Sequence, residues 1–274
     1  LDPPVILPLG IGIFLFAVPL SPSDLYLQFT PGLLIKRPKP KIFNLPDGLS
    51  CKLYRSNDGK TWLLKFNQDS KIFIKKYGMM PIPPYLDRDP DESDFVDYQT
   101  VYAEVPGSIA APTAGLHFTE KILDELKRKK INTDFLTLHV GMGTFLPIKV
   151  KNIENHKMHD ERYFISNNLI NNIKMVKGSG GRVLTVGTTT LRALEGSCMN
   201  KKKYDKWFET DIFIKEGYNF ALTDCLLTNF HLPKSTLLIL VSSFLGYELT
   251  KLSYEFAIKE KFKFYSYGDA MLII

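Results

Sequence analysis

The sequence contains few cysteines, tryptophans, histidines and arginines, and the shortage of cysteine excludes a fold held together by disulfides. Its 274 residues include three cysteines and no Cys-x-x-Cys pair, which excludes a disulfide framework and favours a reducing compartment. We expect each cysteine to be a small buried hydrophobe. The basic residues are 28 lysines and 7 arginines, and the net charge is +6. This charge permits a polyanionic partner, although local lysine runs are more often solvated helix ends than nucleic-acid sites.

The sequence also has no apolar run that is long enough for a membrane-spanning helix. The best candidate, residues 5–20, carries Pro8 and Pro19 and is too short to span a bilayer. It has neither the basic start nor the small-residue cleavage site of a signal peptide. We interpret this run as a pair of buried strands, and we expect a cytoplasmic protein without membrane contact.

Proline and glycine positions predict three regions. Residues 1–70 contain short strands separated by turns, including the hairpin signal Asn57-Asp58-Gly59, and predict a partial β-barrel-like domain. Residues 71–98 form a proline-rich linker, because each proline fixes its own backbone and restricts the residue before it. Strands and helices then alternate over 99–274, which predicts an α/β catalytic domain. The predicted fold class is an α/β main domain with an inserted or appended small β-barrel domain, here partial.

Capping residues and periodicity place the individual elements. Thr119 and Ser235 are predicted to cap helices, and Gly246 is predicted to end the second of them. The predicted helices cover 119–130, 167–177, 191–195, 235–245 and 248–261. The predicted strands cover 12–17, 24–29, 33–36, 51–54, 62–66, 135–140, 182–187, 263–266 and 271–274.

All five histidines lie between positions 117 and 231, and those at 117, 139 and 231 lie in strings that include Gly, Pro or Thr. Imidazole titrates close to neutral pH and is the usual proton carrier of an active site. The pattern therefore predicts one enzyme site built from several strand-end loops. Two alternatives remain open: His117 as a loop histidine bonded to backbone, and His139 as a core histidine beside a tight turn.

Three further strings suggest binding chemistry. The segment Gly187-Thr188-Thr189 leads a strand into a helix, where free N–H groups and Arg192 can hold a carboxylate or phosphate. The alternative is an ordinary helix cap with a surface arginine. His156-x-x-His159 superficially suggests a zinc site that lacks a third ligand, and a histidine–carboxylate network is the alternative. Asp269 offers a carboxylate in an aromatic turn.

Several strings, in the right order, together resemble the S-adenosylmethionine:tRNA ribosyltransferase-isomerase family of queuosine biosynthesis. They are YQTVYA at 98–103, APTAGLHF at 111–118, TLHVGMGTF at 137–145, HKMHDE at 156–161, VGTT at 186–189, TNFHLPKST at 228–236 and FYSYGDAM at 264–271. The resemblance is strong over residues 78–274 and faint over the first 77. It implies that the ribosyl part of S-adenosylmethionine moves onto 7-aminomethyl-7-deazaguanine at the tRNA wobble position, giving epoxyqueuosine, adenine and methionine.

The resemblance also implies the partners. They are a tRNA with a queuosine-type anticodon and S-adenosylmethionine as a consumed co-substrate, with no further cofactor, no metal and no stable protein partner. The family's N-terminal section, which includes an Asn-Asp-Thr-Arg-Val-like strand, is not found before the first strands, so we expect a chain without that section.

The predicted site residues divide into two groups. The predicted catalytic residues are His117, His139, Glu195 and Asp269. The predicted substrate-binding residues are Tyr98, Thr113, Gly115, Phe118, Gly141, Gly143, Thr144, Phe145, Gly187, Thr188, Thr189, Arg192, Asn229, Phe230, His231, Lys234 and Ser235. Two alternative functions remain: a zinc-dependent hydrolase that uses His156 and His159, and a non-catalytic RNA-binding barrel with a degenerate enzyme domain.

Overall fold

The computed structural model divides the chain into two compact units. One comprises Leu1–Gln99 with Ala103–Ala111, and the other comprises Thr100–Tyr102 with Pro112–Ile274. The residues that the structure describes are 18–21, 24–27, 41–44, 46–55, 62–67, 79–80, 82, 86, 88–105, 108, 110–140, 150, 152–158, 160–199 and 204–274. Several predictions lie outside these residues: the strands at 12–17 and 33–36, the turn at 57–59, and the site residues Gly141, Gly143, Thr144, Phe145 and His159.

The first unit contains a five-stranded antiparallel sheet with the order β1-β2-β5-β4-β3. Its strands are β1 (Val18–Ser21), β2 (Asp24–Leu27), β3 (Lys41–Asn44), β4 (Ser50–Arg55) and β5 (Trp62–Phe66). The β4–β5 pairing confirms the predicted hairpin. Within the described residues β1 and β3 do not pair with each other, so the predicted barrel is here an open sheet. A sheet of this kind needs only its inner face covered.

Two local features of this unit follow from burial. Cys51 is buried, and burial raises the pKa of its thiol to about 11, which agrees with its prediction as a small hydrophobe. The short helix α1 (Asp94–Asp97) begins at a buried carboxylate that accepts two hydrogen bonds of 2.7 Å from the Arg88 guanidinium. This bidentate geometry fixes a turn within the acidic stretch that follows the prolines.

Among its described residues, the second unit contains five α-helices and two three-stranded sheets. The helices are α2 (Glu120–Arg128), α3 (Asn167–Gly178), α4 (Thr188–Met199), α5 (Thr236–Leu245) and α6 (Tyr247–Lys259). The strands are β6 (Thr137–His139), β7 (Glu161–Ile165), β8 (Leu184–Val186), β9 (Lys206–Thr210), β10 (Cys225–Asn229) and β11 (Ala270–Ile273). None of the helices formed by the described residues is long and apolar enough to cross a membrane.

The two sheets of this unit differ in strand direction. One sheet has the order β11-β10-β8, in which β8 and β10 are parallel and β10 and β11 antiparallel. The other has the order β6-β7-β9 and is entirely antiparallel. The mixed helix-and-sheet character agrees with the predicted α/β class. The alternation of strands and helices therefore produced one parallel pair in these sheets, and not a doubly wound parallel sheet.

Helix α4 lies between two apolar cores. Ala193 and Leu194 pack into a core with β7, α3 and β9. Leu191 packs into a second core with β10, α5 and β11. Because its side chains enter both cores, α4 fixes the two sheets relative to each other within this unit.

Helix ends follow the predicted capping chemistry. The Thr119 hydroxyl accepts a hydrogen bond from the Ile122 amide at 3.3 Å, and Ser235 accepts one from Leu238 at 3.1 Å. Gly246 ends α5 with a φ of 88°, a conformation that costs a residue without Cβ little. These predictions are confirmed.

The predicted strand at 263–266 is wrong. The Asp269 carboxylate accepts a hydrogen bond from the Lys263 amide, and the Asp269 amide donates to the Lys263 carbonyl, both at 2.7 Å. Tyr265 has a φ of 73°, which turns the chain instead of extending it. A Cβ at Gly268 would lie 2.4 Å from the Lys263 carbonyl oxygen, so the loop is too tight for any side chain at position 268.

A buried ion pair connects α4 to the antiparallel sheet. Arg192 Nη1 lies 2.6 Å from Glu161 Oε2, and Arg192 Nε donates to the Ile212 carbonyl at 3.1 Å. The two side chains are 2% and 3% exposed. Removal of one partner would leave the other charge buried without this ion pair, which is far more costly than loss of an exposed pair.

We therefore predict that Arg192→Met lowers the free energy of unfolding by roughly 3–5 kcal/mol, measured by urea unfolding followed by far-UV circular dichroism. The matched control is Arg128→Met, whose partner Glu125 lies 3.5 Å away on the surface, with an expected cost below about 1 kcal/mol. Equal costs for the two substitutions would contradict a structural role for the buried pair. The double variant Arg192→Met/Glu161→Leu should recover much of the loss, since no uncompensated charge remains.

Candidate active site

Three segments of the second unit meet at the carboxyl ends of the parallel strands β8 and β10. The Gly187 amide donates to the Leu227 carbonyl at 2.8 Å, which holds the end of β8 against β10. A 3₁₀ turn, Thr113–His117, lies across this edge, and the Thr113 hydroxyl donates to Asn229 Oδ1 at 3.0 Å. Ligands of α/β sheets bind outside the carboxyl ends of strands. The predicted residues Thr113, Gly187 and Asn229 are thus brought together where a ligand is expected.

Asn229 provides a polar atom that is available for a ligand. Its side chain is 3% exposed, and Oδ1 accepts the Thr113 hydroxyl. Within the described part of the chain, its Nδ2 has no hydrogen-bond partner. A buried donor without a partner is costly and calls for an explanation. A bound substrate oxygen would provide one.

Gly115 permits the close approach of a tyrosine. A Cβ at this position would lie 2.0 Å from Tyr102 Oη and 2.9 Å from Thr100 Cγ2. Burial raises the pKa of Tyr102 to about 12. Gly115 therefore shapes the turn, while its predicted substrate-binding role stays a prediction.

Gly187, Thr188 and Thr189 form the turn from β8 into α4. Gly187 has a φ of 93°, and all three residues are buried. A Cβ at Gly187 would lie 3.9 Å from the Ala114 Cβ, so the turn and the 3₁₀ segment are in close proximity. The buried hydroxyls and the amides at the start of α4 give this corner the character of an anion cradle.

His231 follows Phe230, just after the end of β10, and bonds to a threonine and a tyrosine. Its Nε2 is 2.9 Å from the Thr228 hydroxyl, and its amide donates to Tyr254 Oη. Burial lowers the pKa of His231 to about 4, so the ring is neutral near pH 7. Phe230 packs against Tyr254 and Phe264, at ring-centroid distances of 5.3 and 5.1 Å. Phe230 and His231 therefore support the end of β10.

His139 lies on the other sheet, in β6. Its ring centroid is 4.4 Å from that of Trp207. Burial, and second the positive charge of Arg162, lowers the pKa of His139, which favours the neutral imidazole. Within the described residues its Nε2 is buried without a hydrogen-bond partner. A neutral ring of this kind is suited to accept a proton.

Glu195 and Arg192 are both buried in α4. Glu195, 0% exposed, accepts hydrogen bonds from the amides of Ala221, Leu222 and Thr223 at 2.8–3.0 Å. These contacts make Glu195 a positioning residue for that segment, while its predicted catalytic role stays a prediction. The alternative of a surface arginine is wrong for Arg192, because its guanidinium is buried against Glu161.

The remaining predicted residues occupy simpler positions. His117 is exposed at the end of the 3₁₀ turn, and Phe118 follows it half-buried. Ser235 caps α5, and Lys234 precedes it, exposed, with a φ of 59°. Tyr98 is buried in the first unit. The Asp269 carboxylate accepts from the Lys263 amide.

The zinc alternative gains no support from the residues that the structure describes. Among them, no group of three His, Cys, Asp or Glu side chains could hold a metal ion. His156 packs edge-on against Phe213 at 5.5 Å, and Glu161 is the partner of Arg192. Glu161 of this string therefore pairs with an arginine, while the predicted histidine–carboxylate network, which includes His159 outside the described residues, stays a prediction.

Two informative residues were missed in the sequence. Trp207 was missed because its strand was not predicted, although Lys206–Thr210 alternates in exposure as a half-buried strand does. Glu161 was identified only as part of a histidine string. Its pairing with Arg192, 31 positions away, has no local signal.

Comparisons with known proteins agree with the motifs. The sequence profile of the family described as "Queuosine biosynthesis protein" matches residues 27–273. The S-adenosylmethionine:tRNA ribosyltransferase-isomerase of Treponema denticola is 45% identical over 269 residues, which cover 95% of this chain and 77% of that protein. The protein of the same name from Halothermothrix orenii is 48% identical over 81% of this chain and 65% of its own length.

A further relative and a solved structure are also similar. The relative from Ralstonia pickettii, which has the same name, is 50% identical over 77% of this chain and 59% of its own length. The crystal structure of S-adenosylmethionine tRNA ribosyltransferase from Thermotoga maritima is 28% identical in sequence and superposes with a TM-score of 0.50. The matched region covers 99% of this chain and 78% of the Thermotoga maritima chain. The chain thus spans about three fifths to three quarters of the length of these relatives. The profile match and these identities confirm the resemblance seen in the motifs, and the chain belongs to the queuosine biosynthesis protein family.

Proposed function

We propose that this protein moves the ribosyl part of S-adenosylmethionine onto 7-aminomethyl-7-deazaguanine at the wobble position of tRNA. The products are epoxyqueuosine in the tRNA, free adenine and methionine. The observation that carries the proposal is the meeting of Thr113, Gly187 and Asn229 at the carboxyl ends of β8 and β10, within the region that matches the family. S-adenosylmethionine is a consumed co-substrate here, and the proposal requires no further cofactor or metal.

The reaction needs a base, an acid and polar anchors. A base must remove a proton beside the sulfonium, an acid must protonate departing adenine, and a neutral amine must attack the ribosyl carbon. His139, with its neutral ring, is suited to the base. His117, exposed in the turn beside Thr113, is assigned the acid role. Asn229 and the Gly187–Thr189 corner supply anchors for ribose hydroxyls or the methionine carboxylate.

The direct test is mass spectrometry of tRNA that carries the deazaguanine precursor, after incubation with the protein and S-adenosylmethionine. The native chain should form epoxyqueuosine and release adenine. His139→Gln and His117→Gln should each lower the rate of adenine release by roughly 10²–10⁴-fold, the usual contribution of one acid or base. Arg128→Gln, an exposed change on α2, is the control. If both histidine variants react at the native rate, the acid–base assignment is wrong. If the native chain binds tRNA but forms no product, the enzymatic function is wrong.

A second prediction concerns the unpartnered amide of Asn229. Asn229→Leu should lower kcat/KM by roughly 10- to 100-fold, because a hydrogen bond to a charged substrate group contributes about 1.5–3 kcal/mol. Its Tm should change little, since the half-buried Thr113 hydroxyl can bond to water instead. Asn172→Leu is the matched control, because this amide donates to Asp134 on the surface. Equal kcat/KM for Asn229→Leu and native protein would exclude Asn229 from substrate binding.

A third prediction concerns pH. The pKa of His139 lies below its ordinary value of 6.5, so the imidazole stays neutral below pH 6.5. The acidic limb of the kcat/KM–pH profile should therefore lie below pH 6.5. Arg162→Gln removes a nearby positive charge, which raises the pKa of His139 and should move that limb to higher pH. Glu209, 3.6 Å from Arg162, would lose its cationic partner, and its negative charge would raise the pKa of His139 further. Arg128→Gln should leave the limb in place. An unmoved limb in Arg162→Gln would show that another group sets it.

A further inference from the structure

One face of the β6-β7-β9 sheet carries aromatic and basic side chains at the protein surface. The register places position 137 beside 164 and 207, and position 139 beside 162 and 209. Paired residues of neighbouring strands share a face, and successive residues alternate between faces. The opposite face is apolar and faces the core through Leu138, Tyr163 and Phe208. The residues of the surface face are Thr137, His139, Arg162, Phe164, Trp207 and Glu209.

Trp207 is the centre of this surface. The His139 ring centroid lies 4.4 Å from that of Trp207, and the Phe164 centroid lies 5.9 Å from it. The guanidinium carbon of Arg162 lies 5.5 Å from the Trp207 ring. Although three side chains contact it, Trp207 remains 38% exposed. The indole is therefore held in place by its neighbours while part of it stays open to solvent.

This combination suits an unpaired nucleobase. Proteins that bind single-stranded RNA stack bases on aromatic side chains, commonly on the face of a sheet, and place cations near the backbone phosphates. Arg162 is about half exposed, and the carboxylate on this face, Glu209, lies 3.6 Å from its Nε. A phosphate of an RNA strand on this face could therefore contact the Arg162 guanidinium. The negative charge of Glu209 lies beside Arg162 and is partly offset by it.

We propose that this surface stacks an unpaired nucleobase of the tRNA substrate on Trp207, with Arg162 near the adjoining phosphate. The inference rests on the proposed function, because it takes tRNA as the substrate, and it adds the part of the protein that holds one of its bases. It also places that nucleobase beside His139, the residue assigned as the proton acceptor of the reaction.

The first test uses the fluorescence of Trp207. The chain has two tryptophans, so Trp62→Phe leaves Trp207 as the single reporter. An anticodon stem-loop should quench its fluorescence, since a stacked base changes the surroundings of the indole. A blunt duplex with the stem sequence should quench it much less. Equal quenching by both RNAs, or full quenching by adenine or S-adenosylmethionine alone, would overturn the assignment to an unpaired RNA base.

The second test measures affinity for the labelled stem-loop by fluorescence anisotropy. Trp207→Leu should weaken binding roughly tenfold, within the range of one base–aromatic stack, whereas Trp207→Phe should retain most of the affinity. Phe256→Leu on α6 is the matched control, because Phe256 is a 58%-exposed aromatic outside this surface. Thermal unfolding checks that each variant is folded. Native affinity in Trp207→Leu, or an equal loss in Phe256→Leu, would overturn the proposal.

The two proposals fail in distinguishable ways. If the native chain makes no modified nucleoside while Trp207→Leu still weakens binding of the stem-loop, the proposed reaction is wrong and the stacking surface stands. If the native chain modifies tRNA while Trp207→Leu binds and reacts as native protein does, the stacking surface is wrong and the reaction stands.

Discussion

The second unit depends on how the charge of Arg192 is compensated inside the protein. A guanidinium that is 2% exposed is stable only because Glu161 and the Ile212 carbonyl accept its hydrogen bonds. Such a pair roughly offsets its own desolvation, so its contribution is chiefly geometric. It connects α4 to the start of β7 and to the chain after β9. Since α4 begins at the Gly187 turn, the ion pair also sets where that corner of the candidate site lies.

Glu195 extends the same constraint one helical turn further. Its carboxylate accepts three successive amides at 221–223, immediately before β10. Charge-assisted bonds to backbone are stronger than neutral ones, so this single side chain fixes where the chain enters β10. Asn229 lies at the far end of that strand. Helix α4 therefore follows directly from the carboxyl end of β8 through Gly187 and, through Glu195, also holds the segment that enters β10.

The sequence predicted what local chemistry determines. The caps at Thr119 and Ser235 and the stop at Gly246 could be predicted because each depends on residues within one turn. Strand β10 was missed since Cys225–Asn229 is buried on both faces and shows no alternation. The segment at 263–266 resembled a strand, but Asp269 closes it into a loop through contacts six residues apart. Among the site residues, Thr113 and Asn229 could be named from their strings, whereas their contact across 116 positions could not be predicted.

The chemical state of each histidine depends on its surroundings and not on its position in a sequence string. The same neutral form arises in two ways: burial alone lowers the pKa of His231 to about 4, whereas burial and the charge of Arg162 lower that of His139. His231 already has a hydroxyl partner in Thr228 and supports β10. His139 retains a ring nitrogen without a partner among the described residues and lies against an exposed indole. A proton acceptor needs an unused nitrogen beside a place where substrate can lie, and for His139 the proposed stacking surface around Trp207 would be that place.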